Sequence, residues 1–326
     1  MKFIEYGPPG TPDSLRVVEG AAPTAAAGEI LIAVHYAGVN RPDVMQRMGR
    51  YAPPPGASPI LGLEVAGHVA AIGAGVTQWR PGDAVCALVP GGGYAQFCVA
   101  PARHALPIPS GLSLAQAAGL PENWFTVWAN LIDMAGLRAG ERVLIHGGSS
   151  GIGLAAIQLA RQVGAEAIVT VGSDEKARFC RDFGAAEAIN YRTEDFVVRT
   201  QQYSAGGGVD VVLDMVAGPY MQKNISLLRR DGRLVFIAFL QGSRSELDLM
   251  PVMLKRLRIT GSTMRPRSVD EKAAIRDALA REIWPAFDAG RLRTHLFATF
   301  AFDQAADAHR LMESSRHIGK IVLQFA

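Results

Sequence analysis

Cysteine is scarce in this chain. Cys86, Cys98 and Cys180 lie far apart, without metal-ligand spacing. This excludes a disulfide framework and points to a reducing compartment. Long apolar runs are missing too, since none approaches the ~20 residues that span a bilayer. The opening residues Met1-Lys2-Phe3-Ile4-Glu5-Tyr6 contain no secretory h-region, so a cytoplasmic protein without a membrane partner is expected. The net charge of +3 is too small to argue for nucleic acid. Basic residues come in pairs, as at Arg229-Arg230 and Lys255-Arg256, and aromatics make up only 7% of the chain. Neither supplies a stacking platform for single strands. Repeats and low-complexity tracts are also absent. What is present is ordinary: 49% hydrophobic and 19% charged residues in a chain of 326. That composition is globular, and the length suits two domains.

The richest stretch is residues 141–160. An apolar run at Val143–Ile145 predicts a buried strand, and a glycine-rich turn follows. Ile152, Ala155, Ala156, Leu159 and Val163 then recur at helical spacing. Strand, tight turn and helix together predict a dinucleotide site. The first amides of a helix have no partner within it, and the helix dipole adds positive charge there. A pyrophosphate fits that spot where no Cβ keeps it away, which Gly148, Gly151 and Gly153 allow. The match to G-x-G-x-x-G is incomplete. Ser150 replaces the middle glycine of one register, and Gly151-x-Gly153-x-x-Ala156 fits the variant that ends in Ala.

Residues 1 to about 120 look β-rich, with β-branched runs at 14–18, 29–37, 61–72 and 84–89. Pro81-Gly82-Asp83 and Gly91-Gly92-Gly93 mark tight turns. The stretch Tyr51-Ala-Pro-Pro-Pro-Gly56 is a stiff surface loop, because proline lacks an amide proton and restrains its neighbour. Helix is expected from 113 to 118 and again from 124 to 134. From about 122 to 263, strands (167–171, 188–191, 209–216, 233–239, 258–262) alternate with helices (175–183, 195–202, 220–229). That alternation predicts an α/β fold, with a parallel sheet covered on both faces. Helix at 271–287, strand at 296–300, helix at 303–313 and strand at 320–325 complete the chain.

The stretches AGVNRPDV (37–44), MGRYAPPPGA (48–57), LGLEVAGH (61–68), LVPGGG (88–93), VLIHGGSSGIG (143–153) and IGKIV (318–322) run from end to end. With them the chain resembles the zeta-crystallin-like quinone oxidoreductase branch of the medium-chain dehydrogenase/reductases, most closely the tumour-suppressor-inducible type. The resemblance implies a GroES-like β-rich catalytic domain from residues 1–121 and 264–326. It also implies a doubly wound Rossmann NADP-binding domain from 122–263, an active site in the cleft where the two meet, and a homodimer formed through the edge strand at 256–262.

Metal is not expected. Zinc-dependent relatives place Cys where Asn40 stands and a His-Glu pair where Leu63-Glu64 stand, and they carry a four-Cys lobe. Asn and Leu are not the thiolate and imidazole that zinc selects. His35, His68 and His146 are assigned to packing or backbone hydrogen bonds. Without a Lewis acid an alkoxide has no holder, whereas quinones and α,β-unsaturated carbonyls accept hydride directly.

The nicotinamide cofactor is expected to be NADPH (NADP+). An NAD site usually places an acid about 20 residues past the glycine turn. Here Gly172-Ser173 stand at that distance, followed by Asp174 and Lys176. The resemblance implies that Ser173, Lys176 and Tyr191 hold the 2′-phosphate and that Arg316 makes another contact. Asp174 would favour NAD if it reached the ribose. By the same resemblance Asn40 and Thr126 lie near the nicotinamide, and Gly151 and Ile152 cover the pyrophosphate. Val216, Phe239, Met264 and Arg265 line the path between ribose and nicotinamide. Tyr51 and Asn40 are the candidate donors to the acceptor oxygen. A phenol with pKa near ~10 is a hydrogen-bond donor and at best a slow acid. Reduction of quinones is the leading expectation. Reduction of enones, enals or enoyl thioesters is the rival, and an NADPH- or RNA-binding crystallin-like role with little turnover is a third reading.

Overall fold

Six parallel strands carry the middle of the chain. The structure, a computed structural model, describes residues 1–325. It forms two compact units: Met1–Phe125 with the stretch from Arg265 onward, and Thr126–Met264.

In the second unit the strands lie in the order Glu187–Asn190, Glu166–Val171, Arg142–His146, Val209–Asp214, Leu228–Phe236 and Arg258–Gly261. Every neighbouring pair is parallel. The central strands are buried along their length, as the unbroken apolar runs require. Three of the helices between them begin on side-chain caps that satisfy otherwise orphaned amides. Ser150 accepts from the Gly153 amide, Ser173 from Lys176, and Asp195 from Val197 and Val198. The helix Asp174–Phe183 buries Ala177, Cys180 and Phe183 and stops at Gly184, whose φ of 117° suits glycine.

The first unit is a mainly antiparallel sheet. Its order is Leu296–Ala301, Lys320–Gln324, Glu29–Val39, Glu64–Ile72, Ala84–Leu88 and Ala105–Pro107, and Phe97–Pro101 also pairs with Glu29–Val39. The tail thus enters the N-terminal sheet, with Ile321 opposite Val39 and Leu323 opposite Ala37.

Several expected elements end differently. The helix expected over 220–229 covers Met221–Leu227, and Leu228 already belongs to a strand. The strand expected to 216 stops at Asp214, whose carboxylate accepts from the amides of Val216 and Ala217 and turns the chain. The strand expected over 233–239 begins at Leu228 and ends at Phe236, so Val216 and Phe239 sit in loops past strand ends. The helix expected over 271–287 breaks into Val269–Glu282 and Trp284–Asp288, because Pro285 has no amide to continue the ladder. The run expected from 124 to 134 is α-helical over Pro121–Val127 and π-helical over Trp128–Met134. The strand Lys2–Tyr6 and the helices Arg41–Arg47 and Met250–Leu254 were not expected. They are too short to show a period.

Candidate active site

In the second unit, parallel pairing puts the C-terminal ends of all six strands on one edge, where open α/β sheets bind ligands. Gly148 and Gly151 to Gly153 follow Arg142–His146, and Gly172 and Ser173 follow Glu166–Val171. Tyr191, Val216, Phe239 and Met264 follow the remaining strands in turn.

The glycine turn works partly for itself. A Cβ on Gly148 would sit 2.5 Å from Val169 Cβ, and one on Gly153 would strike the Gly147 and Gly148 carbonyls. These two glycines therefore let the helix pack on the strand, whereas ligand clearance alone was expected of them. Gly151 and Ile152 fall in the first helical turn, where amides have no helical acceptor. Beneath the turn, buried His146 lies between Thr170 Oγ1 at 2.9 Å and Asn224 Oδ1 at 2.8 Å. Asn224 in turn donates to Asp214 Oδ2 at 3.0 Å. His146 is thus a structural hydrogen-bonding residue, and His35 sits 3.2 Å from the Ala33 carbonyl with its ring edge-on to His68.

Around Gly172 polar groups converge. A Cβ there would lie 2.8 Å from Tyr191 Oη and 3.6 Å from Arg192 Nε. Ser173 caps the next helix, and burial holds the Lys176 ammonium below its ordinary pKa, with the Arg192 charge acting the same way. The Arg192 guanidinium thus flanks Gly172, and its charge is felt at Lys176. Arg192 was missed in the sequence, because an Arg after a strand-end Tyr has no motif of its own. Asp174, the possible ribose acid, instead accepts from Asn190 Nδ2 at 2.7 Å. Val216 is fixed by Asp214, and its carbonyl accepts from Gln241 at 2.9 Å. Phe239 is 52% exposed and packs on Phe236. Thr126 precedes the π-helical run, and its carbonyl accepts from Asn130 at 2.8 Å. Met264 is buried.

The first unit gathers a different cluster. Glu64 is fully buried, and its two oxygens take three donors: Lys320 Nζ at 2.6 Å, Asn40 Nδ2 at 2.9 Å and the Glu122 amide at 2.9 Å. Lys320 Nζ also reaches Asn40 Oδ1 at 2.7 Å. One N–H of the Asn40 amide remains for another acceptor. Arg265 donates to the carbonyl of Pro90 and the side chain of Gln46, both at 2.8 Å, and its charge lies 5.4 Å from the centre of the Tyr51 ring. Its buried Nη2 has no hydrogen-bond partner among the described residues. Arg265 therefore braces the Tyr51 loop and still has a donor to give. Burial pushes the Tyr51 phenol up to about 12. It keeps its proton and can only lend it to a hydrogen bond. Arg316 is exposed beside Ser314. Among the described residues no three His, Cys, Asp or Glu side chains gather as a metal set, and no helix is long and apolar enough to cross a membrane.

Among known proteins, residues 151–280 match the zinc-binding dehydrogenase family and residues 26–110 the alcohol dehydrogenase GroES-like domain. A mycocerosic acid synthase-like polyketide synthase of Mycobacterium tuberculosis is 34% identical over 317 residues, 96% of this chain, which spans 15% of the synthase's length. The quinone oxidoreductase of Rattus norvegicus is 30% identical over 328 residues, covering 99% of this chain and 97% of its own. Among solved structures, the CurK enoyl reductase matches with a TM-score of 0.87 and 28% identity, over 100% of this chain and 99% of its own. The Escherichia coli quinone oxidoreductase complexed with NADPH matches with a TM-score of 0.86 and 28% identity, over 100% of both chains.

Proposed function

Because the chain belongs to the medium-chain dehydrogenase/reductase family, we propose that it is an NADPH-dependent reductase of quinones that works without a metal ion. The observation that carries this is the Asn40–Glu64–Lys320 cluster. Asn40 and Leu63 offer no soft ligand, and Glu64 already accepts from an ammonium and two N–H donors. The Lys320 ammonium, bonded to Glu64 and Asn40, already occupies the place a cation would take beside this carboxylate.

When bound, NADPH supplies a hydride. The first-turn amides of Gly151 and Ile152 would hold its pyrophosphate. Ser173, Lys176, Tyr191 and Arg192 would take the 2′-phosphate, and Asp174 is held by Asn190 rather than turned to a ribose hydroxyl. Asn40, Thr126, Val216, Phe239, Met264, Arg265 and Arg316 are assigned to the rest of the coenzyme. Tyr51 and the second N–H of Asn40 would donate to the acceptor oxygen as charge develops there.

A second reading, reduction of α,β-unsaturated carbonyls, draws on the likeness to an enoyl reductase and to a polyketide synthase. The test follows NADPH and NADH absorbance with ortho- and para-quinones and a 2-alkenal. Quinone turnover with NADPH is expected. Turnover of the alkenal alone favours the second reading, and none with either overturns both. On the best quinone, Tyr51→Phe is expected to lower kcat by ~10²-fold, as loss of one oxyanion donor does. An unchanged kcat removes the donor role.

A homodimer belongs to the same proposal. The strand Arg258–Gly261 ends the parallel sheet with an unpaired edge, and beside it Leu249, Met250, Met253 and Leu254 are 60%, 54%, 66% and 62% exposed. A second copy pairing edge to edge covers both the open hydrogen bonds and these side chains. Met253→Glu with Leu254→Glu is expected to halve the mass seen by light scattering. A variant that stays dimeric places the interface elsewhere.

A further inference from the structure

The cluster around Glu64 holds one carboxyl with no assigned task. Glu122 opens the helix Pro121–Val127 in the first unit. Its backbone amide is tied to Glu64, but its carboxyl has neither an ion pair nor a hydrogen bond among the described residues. It is partly exposed, so a small molecule can reach it. Titratable or charged groups from several elements act on it electrostatically. These are Asp43 from the helix Arg41–Arg47, Tyr51 from the proline loop, Glu64 from its strand, Lys320 from the tail strand, and Arg265 and Lys272 from the segment after the second unit.

Three acids thus share one pocket of charge. Lys320 is bonded to Glu64, and Lys272 donates to the Arg265 carbonyl at 2.7 Å. Asp43 is closed off by the amides of Asn40 and Gly62 and the hydroxyl of Tyr94. Like charges so grouped are not all ionised: burial pushes the Asp43 carboxyl up to about 7 although donors face it, and the acid without donors keeps its proton to a higher pH. That acid is Glu122.

We propose that Glu122 is the general acid of the reductase, giving its carboxyl proton to the carbonyl oxygen of the acceptor. This rests on the reductase reading above. As the acceptor gains hydride, an electron pair moves onto its carbonyl oxygen. The Glu122 O–H bond breaks, a new O–H bond forms on that oxygen, and the pair left behind stays on the carboxylate. Water restores the proton. An enone leaves as its enol and a quinone as its hydroquinone.

Burial, reinforced by the Glu64 charge, pushes the Glu122 carboxyl up to about 8. Tyr51, pushed up to about 12, is too weak an acid for the task. A donor with pKa near the working pH transfers its proton best. The two residues therefore divide the work: Tyr51 positions the oxygen and Glu122 protonates it.

The sign of the pH dependence follows from the acid role. Activity needs the protonated form, so single-turnover NADPH oxidation should fall as pH rises through about 8. Glu122→Gln should lower that rate by ~10²-fold and abolish the alkaline limb. Glu122→Asp should keep a limb at a shifted pH. A readout free of coenzyme accompanies it: in infrared difference spectra of the protein alone, a carboxylic C=O band should titrate near pH 8 and vanish in Glu122→Gln. Wild-type turnover with an unaltered rate or limb in Glu122→Gln overturns the assignment alone, as does a band near pH 8 that persists in that variant, whereas a band near pH 7 belongs to Asp43. Absence of wild-type turnover toward every quinone and enone overturns the reductase reading and the assignment with it.

Discussion

Lys320→Met is expected to destabilise the protein by ~3–5 kcal/mol, the cost of leaving a buried carboxylate without its cation. Glu64 is fully buried and Lys320 is 5% exposed, so water cannot take over the lost contact. The ammonium makes two short bonds at once, to Glu64 at 2.6 Å and to Asn40 at 2.7 Å. Removing it also frees Asn40 and strips the one cation bonded among Asp43, Glu64 and Glu122. Urea unfolding checks the size of the effect. Lys320→Met combined with Glu64→Leu should recover most of the loss, because an apolar pair of similar volume needs no compensation. If single and double variants unfold alike, packing rather than charge explains the loss.

Lys176→Ala is expected to raise the KM for NADPH by about 10- to 100-fold while leaving that for NADH nearly unchanged. A hydrogen bond to a charged group contributes about 1.5–3 kcal/mol, and each 1.4 kcal/mol is about tenfold in affinity. Arg192→Ala should act in the same direction, since Arg192 Nε flanks Gly172 with Tyr191 Oη. Both losses should shrink in high salt, because the contacts are ionic and partly exposed. Equal loss for both coenzymes would mean that Lys176 supports the helix rather than reading a phosphate.

Much of the fold was legible because its signals are local. Unbroken apolar runs announced the parallel strands, and Gly184 announced a helix end through chemistry that acts within a few residues. The failures are just as physical. Asp214 ends its strand early with a side-chain turn that the apolar pattern does not show. Pro285 breaks a helix whose periodicity runs on past it. Gly148, Gly151 and Gly153 were assigned to ligand clearance, yet Gly148 and Gly153 answer to Val169 and to the turn's own carbonyls. Those contacts come from an adjacent strand and from the folded turn.

The sequence by itself determined the alternation of strand and helix, the poverty in cysteine and the absence of soft ligands at positions 40 and 63. These follow from residue type and short-range spacing. Only the tertiary structure decided the ionisation and placement of the charged groups. Lys320 meets Glu64 from 256 residues away, and Arg265 braces a loop more than 200 residues earlier in the chain. Whether Glu122 keeps its proton depends on which charges the fold brings near it and how much water it removes. Neither quantity is encoded by neighbours along the chain.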